Sequence, residues 1–502
     1  MRAAAMLAVF VAVAAAAGGA SGQPLGFRYG VAAGEITSSS AIVWTRASAR
    51  GAVCLFYKPR AVPSRCVRVQ ARPENDLVVQ VRLRKLIPGA RYVYFFTQGA
   101  RESAAGSFST SPTSSASAEV RFAVSGDADA TPGANGKSAF NSYGVYARMA
   151  AEKNDFNINL GDTIYSDSEV GGAPVARTVA QKWGKYKLGL ALPALRKLRA
   201  SGGLYSHWDD HEFINDFSKA EHGDAIYAAG VKAFTDYAPV AKPSATGLYR
   251  TIRWGKHVEL FFLDERSFRS AKATQVCAGD LAPTVPQAVR DAFATLAPAL
   301  RFPVPPGCLA AIDDPARTML GARQYAAFTK AIKASTATWK VIVNEVPIQQ
   351  YYALPYDRWE GYAAERERLL RFLQASVKNV VFLTTDTHAN FVNEVRYQTL
   401  GGAPEGSGIW EVVTGPVATN TFAKEIDGFL GTPGAGTAIG ALFFKPPPPN
   451  GMGMRCAALD TYSYAQVTVT ERRLTVAMKD AKGHPVREAT GVECAPLVLT
   501  AR

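Results

Sequence analysis

A chain of 502 residues has ample material for a buried core, and 48% hydrophobic with only 20% charged residues excludes a disordered protein. The 56 Lys+Arg against 42 Asp+Glu leave a net charge of +14, a field that favours anionic ligands. Those basic residues are dispersed, Arg82 to Lys85 being the densest short stretch, and no nucleic-acid-binding motif accompanies them. A dedicated nucleic-acid groove is therefore not expected.

Taken in chain order, Met1-Arg2 gives a positive start, Ala3 to Ala17 an apolar run, and Gly18 to Gly22 small residues suited to cleavage. Residues 1–22 thus read as a signal peptide. The run is too short to span a bilayer comfortably, and no later stretch is long and apolar enough for a transmembrane helix. A secreted or periplasmic protein is expected, with no integral membrane segment after the leader is removed, and a monomer. Six cysteines fit export: Cys54 with Cys66, Cys277 with Cys308, and Cys456 with Cys494 form sequence-local pairs without zinc-finger spacing. Disulfides between neighbours are the simplest expectation, although six cysteines allow other pairings.

Residues 23–117 read as an N-terminal β domain. The runs Ala41–Arg46, Val53–Tyr57, Leu77–Leu83 and Arg91–Phe96 are β-branched or aromatic and separated by turn residues. Leu86-Ile-Pro-Gly-Ala-Arg-Tyr92 resembles the corner of fibronectin type III modules, so a small β-sandwich is expected. Ser109 to Ser117 reads as a linker.

Residues 118–502 change character. Val120–Val124, Phe156–Leu160, Val258–Leu263, Trp339–Val343 and Asn379–Leu383 are short apolar strands that alternate with helical stretches such as Gln324–Ser335 and Tyr362–Ser376. The expected fold class is α/β, a layered sheet core flanked by helices. Residues 425–450, rich in Gly and Pro, read as an irregular loop, and Tyr462–Val469 with Arg473–Met478 as a closing hairpin.

Five polar clusters follow apolar strands or sit in the turns after them: Ser125-Gly-Asp-Ala-Asp129, Gly161-Asp-Thr-Ile-Tyr165, Trp208-Asp-Asp-His-Glu212 running on to Asn215, Leu263-Asp-Glu-Arg-Ser-Phe-Arg269, and Thr384-Thr-Asp-Thr-His388. In open α/β folds, sites form at the carboxyl edge of the sheet. Hard cations favour carboxylates, with imidazole or phenolate to tune charge. Asp162 is the candidate bridge between two ions, since Gly161 lets the backbone turn sharply. Asp127, Asp386 and His388 are candidate terminal ligands, and Asn215 offers a neutral oxygen. Each cluster alone also reads as a turn, a helix N-terminus or a charged loop; the five together in this order carry the metal-site reading.

The set closely resembles the alkaline phosphatase D (PhoD-like) family of the metallophosphoesterase group, which includes calcineurin-like and purple acid phosphatases. The matching strings are Gly30-Val-Ala-Ala-Gly34, Trp44-Thr-Arg46, "LGDTIY", "WDDHE…N", "FLDERSFR" and "TTDTH". The resemblance implies a layered metallophosphoesterase core, an iron and calcium site, and small phosphate esters as substrates. It implies Asp162 as the metal bridge, Tyr165 as a phenolate ligand, Asp386 and His388 as ligands, Asn215 on the second ion or the phosphate, and Arg266 on the phosphoryl oxygens. One departure concerns Asp127. The family's best-known members carry a cysteine after the first strand as an iron ligand, and here Gly126-Asp127 stands there. A hard ligand replacing a soft one brings manganese or zinc in as alternatives.

The expected reaction is direct attack of metal-activated water on phosphorus, without a phosphoenzyme, with Arg266 as a bidentate clamp. Asp210 or His211 orients the site or protonates the leaving group. Sequence does not separate monoesterase from diesterase action. A phospholipase-D-like diesterase stays open, with the loops Asp167–Pro174 and Gly428–Pro449 able to cover the site. A noncatalytic secreted binding protein on the same scaffold is the other class.

Overall fold

The computed structural model describes residues 26–59, 65–295 and 297–502. The expected leader over 1–22 lies outside the described residues. Among them, two large sheets face each other. One has nine strands and carries, side by side and parallel, Val120–Ser125, Phe156–Leu160 and Gly203–His207. The other has seven strands, with Val258–Phe262, Trp339–Asn344 and Val380–Thr384 parallel at its centre. These strands are buried on both faces, which is why they are continuous apolar runs rather than alternating ones.

The layer between the sheets is close-packed. Phe156 packs on Trp254 with ring centroids 4.6 Å apart, and Trp254 Nε1 donates to the Tyr205 hydroxyl at 2.8 Å. His207 Nε2 lies 2.5 Å from the Leu263 carbonyl oxygen, tying the carboxyl ends of two strands, one from each sheet. Helices cover the outer faces: Val179–Ala191, Pro193–Ser201 and Lys219–Tyr237 on the nine-stranded sheet, Gly321–Ala334 and Ala363–Ser376 on the seven-stranded one. The fold is thus the expected α/β, a sheet sandwich flanked by helices.

The N-terminal strands do not stand apart. Val31–Gly34, Ser40–Arg46 and Val78–Arg84 extend the nine-stranded sheet, joined to it where Ala33 pairs in parallel with Gly203. A separate five-stranded sheet, which includes Gly51–Pro59 and Arg91–Gln98, packs across them. The Tyr92 hydroxyl accepts from the Ile87 backbone N–H at 2.9 Å, the corner that the sequence announced. The linker is pinned: Ser111 Oγ donates to the Arg253 carbonyl at 2.7 Å, and Ser117 Oγ meets His257 Nε2 at the same distance.

The three disulfides join Cys54–Cys66, Cys277–Cys308 and Cys456–Cys494, the neighbour pairing. Among the described residues no helix is long and apolar enough to cross a membrane. The hairpin Ser463–Val469/Arg473–Asp480 forms as expected and adds to the sheet beside Val120–Ser125. The segment 425–450 is a correction: Phe422–Leu430, Ala435–Ile439 and Gly440–Phe444 are helical. Its glycines and prolines hide an apolar stripe at Phe422, Ile426, Phe429 and Leu430, spaced to lie on one helix face.

Candidate metal centre

Local sterics explain how the clusters converge. Gly126 ends one strand where the Leu160 carbonyl lies so close that a Cβ would meet its oxygen at 1.9 Å. Gly161 ends the next strand at φ +70°, with a Cβ position 2.6 Å from Asp209 Cβ. The residues that follow turn sharply: Asp127, Asp162, Asp386 and His388 all take positive φ, between 46° and 71°. Each such conformation costs on the order of 1 kcal/mol in a non-glycine residue, and it turns four polar side chains from three strand ends toward one point.

There, ligand atoms of Asp127, Asp162 and His388 lie within 4.8 Å of one another, as do those of Asp162, Asp210 and His211, and those of Asp209, Asp210 and Asp386. Asp162 belongs to two of these groups and Asp210 to two. The Tyr165 hydroxyl lies 2.9 Å from His388 Nε2, and the Tyr165 ring stacks on His211 with centroids 4.1 Å apart. Both imidazoles are oriented by carboxylates: Glu425 holds His388 Nδ1 at 2.5 Å, and Asp167 holds His211 Nδ1 at 2.7 Å. Asn215 is exposed on the wall of the cavity above, its backbone N–H donating to Asp167 at 2.8 Å.

The electrostatics are those of an uncompensated anionic site. Burial pushes the Asp127 carboxyl up to about 7 against the attraction of His388. Burial, then repulsion from Asp210 and Asp209, holds Asp162 well above the carboxylate range. Burial and Asp209 do the same to Asp386. Burial opposes charge on His211 and His388, but neighbouring carboxylates outweigh it and bring each up to about 9. Asp127 Oδ2 and Asp209 Oδ2 are buried without a hydrogen-bond partner among the described residues. Gly415 leaves room beside that same Asp127 oxygen, where a Cβ would sit at 2.6 Å. Orphaned oxygens, clustered carboxylates and reserved space fit hard divalent or trivalent cations.

Arg266 is placed otherwise than expected. It is fully buried, with Nε 2.5 Å from Asp209, Nη1 2.7 Å from Asp357 and Nη2 3.4 Å from Asp386. Burial disfavours its charge, and those carboxylates overcome this and hold it well above its ordinary value. Each of its three nitrogens faces an acid, and the guanidinium lining the cavity belongs to Arg358. Arg269 supports Asp357 at 2.8 Å. Asp264 and Glu265 are buried in a framework of backbone and indole donors.

The sequence reading gave no ligand or orienting role to Asp209 or Asp167 and missed Asp357, Glu425 and Arg358. Asp209 and Asp167 lie within or beside quoted strings. Asp357, Arg358 and Glu425 sit in segments with no strand before them, so the strand-end signal is absent there.

The cavity over the centre encloses about 1070 Å³ including its mouth and is lined by Asp162, Asp210, His211, Asp386 and His388. A second cavity of about 1010 Å³ adjoins it, formed in part by the helical segment 422–444.

Residues 131–477 match the family model described as PhoD-like phosphatase, and residues 12–112 match the PhoD-like phosphatase N-terminal domain. Alkaline phosphatase D of Bacillus subtilis (strain 168) is 25% identical over 418 residues, which cover 74% of this chain and 65% of that protein. The chain therefore spans just under two thirds of that curated relative. The solved structure titled "Structure of PhoD" superposes with a TM-score of 0.71 at 21% identity, covering 96% of this chain and 90% of that one. The purple acid phosphatase PPD1 of yellow lupin (Lupinus luteus) seeds gives 0.58 at 13% identity, covering 95% and 74%. With a family model matched across most of its length, this chain belongs to the PhoD-like phosphatases.

Proposed function

We propose that this protein is an extracytoplasmic, metal-dependent phosphoester hydrolase with a dinuclear centre. The observation that carries the reading is Asp162, whose carboxylate belongs at once to the group with Asp127 and His388 and to the group with Asp210 and His211. A carboxylate shared in this way is what two neighbouring cations require. Asp127, Asp162, His388 and Tyr165 would hold one ion. Asp162 and Asp210 would hold the other, with Asp386, whose carboxylate lies within 4.8 Å of that of Asp210 in the group with Asp209, as a further ligand and Asn215 at its open side. Iron and calcium are the proposed ions, with manganese or zinc as alternatives because Asp127 supplies oxygen where a thiolate was expected. When bound, the ions would supply Lewis acidity toward the phosphoryl oxygens and make water a stronger acid.

The chain's own groups do the rest. Water adds to phosphorus opposite the ester oxygen, the phosphorus–oxygen ester bond breaks, and the alcohol departs with a proton. His211, held through Nδ1 by Asp167 and exposed to the cavity, is the donor of that proton. Arg266 is a positioning residue that fixes Asp209, Asp357 and Asp386. Three closed disulfides support an oxidising compartment. The proposed division is a leader over 1–22, a β domain over 23–117 and a catalytic domain over 118–502.

The deciding experiment is hydrolysis of 4-nitrophenyl phosphate and bis(4-nitrophenyl) phosphate, with elemental analysis of the purified protein. Turnover of either ester, lost with chelator and restored by added metal, is expected. Metal-loaded protein that turns over neither would leave a binding protein on the same scaffold.

A further inference from the structure

Beside the metal cavity lies a second one whose walls are almost wholly carbon, built from Val285, Phe293, Tyr351, Phe429, Phe443 and Phe444 among others. The two are continuous: Leu354, Arg358 and Phe422 line both. From the reading of the metal centre as a phosphoester hydrolase, we infer that the apolar cavity is the site for the alcohol side of the substrate, and that this alcohol carries a linear hydrocarbon chain.

Three features of the junction support that occupant. First, Arg358 stands where the polar and apolar cavities meet, its Nη2 donating to the Leu354 carbonyl at 3.1 Å. Its Nε is buried without a hydrogen-bond partner among the described residues. An anionic phosphoryl group is the complement of that cation, and the sequence from metals to Arg358 to carbon matches an amphiphile read from head to tail. Second, the apolar lip faces water: Leu354 is 46% and Phe429 64% exposed, a cost that an apolar ligand relieves. Third, apart from Arg290, Tyr351, Tyr352 and Arg358 the walls carry no polar side chain, so most hydroxyls of a sugar or glycerol unit would be left unpaired there, at a cost.

The helix Phe422–Leu430 connects the two halves of the site. Its Phe422, Ile426, Phe429 and Leu430 wall the apolar cavity, and its Glu425 orients His388.

The test uses metal-loaded protein with two homologous series, n-alkyl phosphates and di-n-alkyl phosphates from methyl to decyl, in both of which the departing alcohol carries the chain, each below its micellar concentration. KM is expected to fall about two- to fourfold per added methylene until the cavity is filled. Val289→Glu and Ile439→Glu, each putting a carboxylate on a wall remote from the metals, are expected to flatten that trend, each variant's methyl ester serving as its own reference. Methyl esters turned over without any dependence on chain length would overturn the inference and leave the hydrolase reading standing. So would a trend that persists in both variants, or a gain seen only when the esters are presented in lipid vesicles. No turnover of any ester would sink both.

Discussion

The Tyr165 hydroxyl and His388 Nε2 stand 2.9 Å apart although 223 residues separate them in sequence. One belongs to the turn after Phe156–Leu160 in the nine-stranded sheet, the other to the turn after Val380–Thr384 in the facing sheet. Their closeness places a phenol and an imidazole beside Asp127 and Asp162, a mixed oxygen and nitrogen set. Tyr165→Phe keeps the ring stacked on His211 and removes one oxygen. The expected result is a roughly 10- to 100-fold loss in metal affinity or kcat, with unchanged thermal stability of the metal-free protein. In protein loaded with ferric iron, any visible absorption from a phenolate ligand should vanish as well. Unaltered metal content and rate would remove Tyr165 from the ligand set.

His211 is held by Asp167 and lines the cavity, so its contribution should depend on the alcohol that leaves. A nitrophenolate departs without help, whereas an alkoxide needs a proton. His211→Asn is therefore expected to slow alkyl phosphates by about 10²- to 10⁴-fold and nitrophenyl esters far less. The comparison is a plot of log kcat against leaving-group acidity, which should steepen in the variant. A parallel drop for both ester types would point to a ligand instead of a proton donor.

These two residues also mark what sequence makes legible. His388 and Tyr165 follow apolar runs that can only be buried strands, and polar residues directly after such runs gather at a sheet's carboxyl edge. That reasoning reaches Asp127, Asp162, Asp210, His211 and Asp386 as well. It leaves Arg266 open as a loop charge, and its place on the phosphoryl oxygens comes from the family resemblance alone. Only the fold reveals that Asp209, Asp357 and Asp386 surround it, since Asp357 is 91 residues further along in a segment without periodicity. Glu425 was lost for the opposite reason: glycines and prolines downstream masked a short amphipathic helix. The alternation of strands and helices was plain throughout, but the joining of Ala33 to Gly203 was not, because it rests on a single parallel pairing between elements 170 residues apart.

Gly126 makes the approach of two strand ends possible, and the prediction there is steric. A methyl group would fall 1.9 Å from the Leu160 carbonyl oxygen, and that oxygen belongs to backbone that cannot rotate away. Gly126→Ala must therefore shift Asp127, Asp162 or both. The expected outcome is a folded protein with metal content reduced and turnover lowered at least 100-fold, since about 1 Å of misplacement has that effect in a preorganised site. Circular dichroism and elemental analysis would check it. A variant with full metal content and near-native turnover would mean that the two turns are not rigidly coupled.

Asp76 offers a pH-dependent prediction well away from the centre. It accepts from Arg46 at 2.9 Å, from Lys187 at 3.0 Å and from the Tyr237 hydroxyl, so it joins the N-terminal strands to helices Val179–Ala191 and Lys219–Tyr237. Burial works to raise its carboxyl, but these donors outweigh burial and bring it from 3.8 down to about 2. A lowered value means that the folded state prefers the ionised form. The stabilisation is present in full above pH 4 and is lost as pH falls toward 2. With partial solvent screening it is worth about 1–2 kcal/mol. Asp76→Asn suits the left-handed backbone at this position, where φ is 49°. It should lower the unfolding free energy measured by urea titration at pH 7 by that amount. The gap between variant and wild type should then close as the pH is taken from 4 toward 2. A gap that is constant with pH would assign the effect to lost packing, and no gap at all would mean that Asp76 does not clamp the N-terminal strands to the helices.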